Sequence, residues 1–185
     1  MRVLKYAILG LLDKGELSGY DIANQFKEGE IGQFWSAKHS QIYPELKKLT
    51  DEGLIQYQTV IQGSKLEKKI YSITPDGKQE LHEWLTHFGP IPAVKDEFML
   101  KAYFVSSMSP NEAKDLFRDQ FNKRKEKLAF LEKRFDELQK KMTDPVARSP
   151  HFGHYLVLTR AMEREKGYIA WLEKALKWLE EVPES

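Results

Sequence analysis

Residues 39–77, HSQIYPELKKLTDEGLIQYQTVIQGSKLEKKIYSITPDG, change their hydrophobic period once, at Gly53. Before that glycine Ile42, Leu46 and Leu49 recur at helical spacing; after it Ile55, Tyr57, Thr59 and Ile61 alternate as a strand does. Pro44 donates no backbone hydrogen bond and clashes with the turn preceding it, so it belongs in roughly the first turn of the helix. That sets the start near His39 or Ser40 and leaves about a dozen residues before Gly53, a suitable C-terminal stop. Gly63-Ser64 turns the chain, Ile70 to Thr74 returns as a second strand, and Thr74-Pro75-Asp76-Gly77 opens another helix bearing Leu81, Trp84 and Leu85.

Upstream, Leu4, Ile8, Leu11 and Leu12 predict a helix ending near Asp13-Lys14-Gly15. Ser18 caps a second helix, with Asp21 in the capping-box position and Ile22 and Phe26 on its buried face; Gly29 and Gly32 then break the chain. Three helices, a two-stranded hairpin and a fourth helix in residues 1–88 is the order of a winged helix-turn-helix. Gly89-Pro90-Ile91-Pro92 closes that module.

Downstream, residues 93–105 predict a short helix with Phe98, Met99, Ala102 and Val105 apolar. Ser109-Pro110-Asn111-Glu112 combines an N-cap, a first-turn proline and a capping-box glutamate. The long helix it starts carries Phe117, Phe121, Arg124, Leu128, Leu131, Phe135, Leu138 and Met142 at heptad steps, with one polar break. Thr143 to Pro150 is the reversal. The last helix repeats the steps through Leu158, Met162, Glu165, Ile169, Leu172, Leu176 and Leu179, again with one polar break. Helices joined by a short loop lie antiparallel. Arg124 therefore falls opposite Ile169, one layer from Glu165, and an Arg124–Glu165 contact is predicted within the hairpin or across a dimer. A second stripe, Tyr168, Trp171, Ala175 and Trp178, makes the apolar face wider than an isolated hairpin covers. The expected architecture is mostly α: a winged helix-turn-helix with a two-stranded β wing over 1–88, and an antiparallel long-helix domain over 89–185.

The 185 residues contain no cysteine, which removes disulfides, thiolate metal sites and cysteine nucleophiles and suits a reducing cytosol. With 41% hydrophobic and 31% charged residues the composition is that of a soluble globular chain. Tyr6 to Leu12, after Arg2 and Lys5, superficially resembles a signal peptide, but Asp13 and Lys14 follow at once with no cleavage-site pattern. No uncharged run approaches the roughly 18 residues of a membrane span. A cytoplasmic protein is expected. The net charge of +1 counts at first against a nucleic-acid partner. Within residues 38–69, however, Lys38, Lys47, Lys48, Lys65, Lys68 and Lys69 outnumber Glu45, Asp51, Glu52 and Glu67, so a local positive field is expected.

Those lysines fall where a winged helix meets DNA, on a recognition helix of about 39–52 and a wing of about 61–70. Ser40, Gln41 and Tyr43 stand in its first turn, where glutamine pairs with adenine and serine with a base edge or a phosphate. Lys38, His39, Lys47 and Lys48 flank them, and Lys65, Lys68 and Lys69 reach phosphates from the wing. Trp35 and Tyr71 are assigned to packing, Tyr43 to either role. The alternative is a winged-helix interaction scaffold without specific DNA binding.

Ser18-Gly19-Tyr20-Asp21-Ile22, Phe34-Trp35, His39-x-x-Ile42-Tyr43-Pro44-Glu45-Leu46 with Gly53-Leu54, Lys69-Ile70-Tyr71-Ser72-Ile73-Thr74 and Val94-Lys95-Asp96-Glu97-Phe98 together resemble the PadR-type transcriptional regulators, most closely the subgroup of the virulence activator AphA. Over the long C-terminal helices the likeness is of pattern rather than motif. The resemblance implies a homodimer built by those helices, through Leu158, Met162, Ile169, Trp171, Leu172, Leu176, Trp178 and Leu179, on a palindromic operator with half-sites about 34 Å apart or a multiple of that. It further implies a small aromatic or lipid effector, with Tyr103, Phe104, Tyr168, Trp171 and Trp178 as candidate lining; dimer core is the alternative role for these aromatics. No cofactor is expected. His82 and His87 are five apart rather than the four that puts two ligands on one helix face, and His151 and His154 lack a third ligand, so neither a metal site nor an enzyme is expected.

Overall fold

The structure is a computed structural model, and it describes residues 2–62, 66–89 and 96–181. It divides into two compact units, Met1–Ile91 and Pro92–Ser185.

In the first unit, α1 (Val3–Asp13) is followed by a two-residue strand β1 (Leu17–Ser18) and α2 (Gly19–Lys27). Ser18 caps α2: its Oγ accepts the Asp21 N–H at 3.1 Å and the Asp21 carboxylate accepts the Ser18 N–H, the reciprocal pair that the sequence predicts. A 3-10 turn over Ile31–Gln33 precedes α3 (His39–Asp51), with Pro44 in its second turn. Ile42, Leu46 and Leu49 are fully buried against Ile8, Leu9, Leu12, Ile22 and Phe26. Gly53, at φ +71°, ends α3 in the left-handed conformation that glycine adopts without a Cβ clash.

The hairpin is β2 (Ile55–Gln62) with β3 (Leu66–Ile73), paired antiparallel with Tyr57 opposite Tyr71. Two corrections arise here. The return strand starts at Leu66 rather than Ile70, so Lys68 and Lys69 lie within it, and Lys65 lies outside the described residues. The sheet also has a third strand, because β1 pairs with the other edge of β3 through Leu17–Tyr71 and Ser18–Ile70. Two residues carry no alternation to read, whereas a backbone edge beside Tyr71 invites a partner. Tyr71 is buried as expected, but Trp35 is exposed: it stands in the irregular stretch between the 3-10 turn and α3, where no periodic face turns it inward.

Next, α4 (Pro75–Thr86) is capped by Thr74, whose Oγ1 accepts the Gly77 N–H at 3.1 Å and donates to the Gly53 carbonyl at 2.8 Å. One side chain thus joins the end of α3, the end of β3 and the start of α4.

In the second unit, α5 (Glu97–Tyr103) is shorter than the predicted 93–105 helix; residues 93–95 lie outside the described residues, and Val105–Ser107 forms a 3-10 turn. Ser109 and Glu112 form the predicted capping box of α6 (Pro110–Gln139), and the reversal leads into α7 (Phe152–Glu180). Met142 falls beyond the end of α6. Phe135 meets Tyr155, Arg124 meets Glu165 and Phe117 meets Trp171, which makes the pair antiparallel. The Arg124 Nη1 donates to Glu165 Oε2 at 2.9 Å, inside the hairpin. No described helix is long and apolar enough to cross a membrane.

Candidate nucleic-acid interface

The first turn of α3 is held open to solvent by its own sequence. Lys38, at the N-cap, has no side-chain oxygen to cap with, and Gln41 substitutes by accepting the Lys38 N–H on its Oε1 at 3.0 Å. Pro44 lacks an N–H, and the hydrophobic stripe faces the three-helix core. What remains outward is Lys38, His39, Ser40, Gln41, Tyr43, Lys47 and Lys48, every one exposed. Placing residues at 100° steps puts Ser40, Pro44 and Lys47 opposite the core, with His39 and Tyr43 on one flank and Gln41 and Lys48 on the other.

Both flanks are fixed by neighbours. The His39 and Tyr43 rings stack with centroids 6.0 Å apart. Beneath Tyr43 lies Gly19 at the start of α2, where a Cβ would stand 2.9 Å from the tyrosine Cε1. Tyr43 therefore packs on α2 and stays 46% exposed, combining the two roles left open from sequence. On the wing, Lys68 Nζ is 3.4 Å from Asp21 Oδ2, and Lys69 Nζ sits 4.1 Å above the Tyr57 ring. Ser18 and Lys68 hold the Asp21 carboxyl below the usual carboxylate range, the Ser18 hydrogen bond contributing most. The Ser18–Asp21 pair is legible in the sequence as a capping box, whereas nothing in it marks the engagements of Lys68 and Lys69. Gln41 stands at N3, where a capping box places glutamate or glutamine, but the lysine at the N-cap breaks the pattern and hides it in the sequence.

The helical unit sorts its candidates differently. Leu158 and Leu172 are buried within the chain's own hairpin, so they hold the protomer together rather than face a partner, a correction to their assignment to the dimer surface. A side chain closed off by its own helices has no area left to share. Met162, Ile169, Trp171, Leu176 and Leu179 are half-buried, and Trp178 is 61% exposed. The candidate ligand residues do not form one group. Trp171 and Tyr168 pack around Phe98, whose ring lies 6.3 and 6.2 Å from theirs, and the Tyr168 hydroxyl donates to Asp96 at 3.1 Å. Burial, reinforced by Asp96, pushes the Tyr168 phenol up. Tyr103 and Phe104 pack edge to face on each other, 5.0 Å apart, and are largely exposed. Among the described residues no group of three or more histidines and carboxylates could hold a metal ion.

Comparison with known proteins places this geometry. Residues 8–83 match the model of the transcriptional regulator PadR-like family, and residues 94–180 match that of the virulence activator alpha C-terminal region. The negative transcriptional regulator PadR of Bacillus subtilis is 64% identical over 181 residues, 97% of this chain and 99% of that protein. The chain belongs to the PadR-like family of transcriptional regulators. Bacillus subtilis PadR has been solved in complex with operator DNA, with a TM-score of 0.89 and 66% identity over 96% of this chain and 99% of that one. Its complex with p-coumaric acid gives 0.86 and 62%, over 97% of this chain and all of that one. PadR-like proteins are regulators rather than enzymes, in line with the histidine arithmetic, and the virulence-activator match over α5–α7 covers the part of the chain where the resemblance was one of pattern.

Proposed function

We propose that the protein is a dimeric, sequence-specific DNA-binding repressor that responds to an aromatic acid. The observation that carries this reading is the outward face of α3: a polar first turn, Ser40 and Lys47 opposite the core, and a wing bearing Lys68 and Lys69 beside it. A helix so displayed enters the major groove by its N-terminal part while the wing follows the backbone. The operator complex of the 64% identical relative supports the same use here, and that relative's description as a negative regulator supports repression. Lys38, His39, Ser40, Gln41, Tyr43, Lys47, Lys48, Lys65, Lys68 and Lys69 are the proposed contacts. The division of labour is a DNA-binding domain over 1–88 and a dimerisation domain over 89–185, and a regulator of chromosomal DNA acts in the cytoplasm.

The p-coumaric acid complex of the relative supports a phenolic acid as effector. Tyr103, Phe104, Tyr168, Trp171 and Trp178 are the aromatic residues offered to it or to the dimer partner. Footprinting on the protein's own upstream DNA, with gel shifts at two salt concentrations, tests the main reading. Salt-sensitive protection of a palindrome, released by p-coumaric acid, is the expected result. Absence of binding to any fragment would favour an interaction scaffold.

A further inference from the structure

Arg2, at the N-cap of α1, pairs with two carboxylates of the recognition helix. Its Nη1 and Nη2 donate to Glu52 Oε1 and Oε2 at 2.7 and 2.8 Å, a bidentate pair, and its Nε lies 3.2 Å from Glu45 Oε1. Both acids belong to the recognition helix: Glu45 in its second turn and Glu52 at its C-cap. Glu45 is buried and its Oε1 makes no hydrogen bond, so the Arg2 charge is what compensates it there. Glu52 is anomalous on helix grounds alone, since a carboxylate at a helix C-terminus opposes the dipole. The Arg2 hydrogen bond holds the Glu52 carboxyl below the usual carboxylate range.

We propose that Arg2 is a positioning residue for DNA recognition: it clamps the C-terminal half of α3 to the start of α1 and so fixes the angle at which Ser40 and its neighbours meet the bases. The inference rests on the DNA-binding reading above. The 13 residues of α3 make a rod about 20 Å long, so a tilt of about 5° about its middle moves each end by about 0.9 Å. That exceeds the roughly 0.5 Å width of the hydrogen-bond distance window. The Gln41 bond lies within α3 and does not tie it to another element, whereas Thr74 holds the Gly53 carbonyl just beyond the helix's C-terminal end. Arg2 adds the charged contact between the start of α1 and the recognition helix that opposes rocking about that end.

The test uses full-length protein, the fragment it protects on its own upstream DNA, a copy with both half-sites scrambled, and a series of salt concentrations. Arg2→Ala and Glu52→Gln should each lower the ratio of specific to scrambled affinity by about fivefold while leaving the salt slope unchanged, because a guanidinium already paired with two carboxylates neutralises no phosphate. Arg2→Lys, which keeps the charge and loses the bidentate fit, should recover part of the ratio. Amide hydrogen exchange at Glu52 to Leu54 in the free protein should quicken in Arg2→Ala, reporting the clamp without DNA. An unchanged ratio overturns the proposal even if exchange quickens, and so does a salt slope smaller by about one, which would make Arg2 a phosphate contact. Wild-type protein that binds none of the fragments refutes the DNA reading itself, before any variant is compared.

Discussion

Glu165 is fully buried, and its carboxylate lies within 2.9 Å of Arg124, 3.2 Å of Arg164 and 3.5 Å of Lys127. Arg124 also stacks 4.0 Å over the Tyr168 ring. Arg164 and Lys127 still face Glu165 when Arg124 is removed, so the carboxylate loses its closest partner without being stranded, and Arg124→Ala should cost about 1–3 kcal/mol in urea denaturation. Burial pushes the Glu165 carboxyl up, but Arg124 and Lys127 outweigh it and hold the group below its ordinary 4.5. A depressed carboxyl stabilises above its unfolded value and loses that contribution as pH falls through the folded one. Stability of the wild-type hairpin should therefore drop more steeply below pH 4.5 than that of Glu165→Gln, followed by helical circular dichroism; parallel acid profiles would remove this account. The pair was legible because a polar residue in each of two facing apolar seams must find the other. Gln41 was legible only in part. Reading adenine takes both its amide groups, whereas in the free protein the carbonyl oxygen caps α3, so Gln41→Ala should cost both discrimination at one base step and roughly 0.5–1 kcal/mol of stability by analogy with other caps.

Elements meet most tightly where α4 begins. A Cβ on Gly77 would stand 2.1 Å from the Leu54 carbonyl oxygen, and that oxygen is fixed by accepting the Thr74 N–H. Gly77→Ala must displace α4 from the α3–β2 junction, at a cost of about 1–3 kcal/mol. By contrast Gly10, inside α1 with nothing within 4 Å of its absent Cβ, should gain about 0.5–1 kcal/mol on becoming alanine. Melting temperatures that shift in opposite directions check both statements. On the wing, Lys68 already faces Asp21, while Lys47 has no ion pair among the described residues. Lys47→Ala should thus lower the salt slope of DNA binding by about one and Lys68→Ala by less, and equal slopes would show that Asp21 releases its lysine on the DNA. Helices and hairpin were readable because each has a periodic face long enough to count. The third strand, the ring over Gly19 and the Asp21–Lys68 pair were not, since each arises from tertiary neighbours far apart in sequence.

At the scale of the molecule, near-neutrality limits what one subunit can do. The lysines of α3 and the wing are few, and two of them are engaged within the protein, so a single winged helix should bind DNA weakly. Linking two changes the arithmetic. If each half-site bound with a Kd of about 10 μM and the dimer held the second half-site at an effective concentration of about 1 mM, the pair would reach about 0.1 μM, a gain on the order of 100-fold. The surface that makes the link must come from apolar side chains the protomer leaves uncovered, among them Leu100, Phe130, Leu156 and Trp178, all more than half exposed. Reading the seams from sequence found the apolar width of α7 but could not divide it, because periodicity does not say which residue faces its own hairpin and which faces a copy. Leu172 and Trp178 separate the two cases. Leu172→Glu buries a charge in the protomer and should abolish the helical fold itself. Trp178→Glu should leave helicity intact, yield monomers by light scattering and lower operator affinity about 100-fold, the whole of the linkage gain; a dimer that survives it would place the interface on a different face of the helical unit.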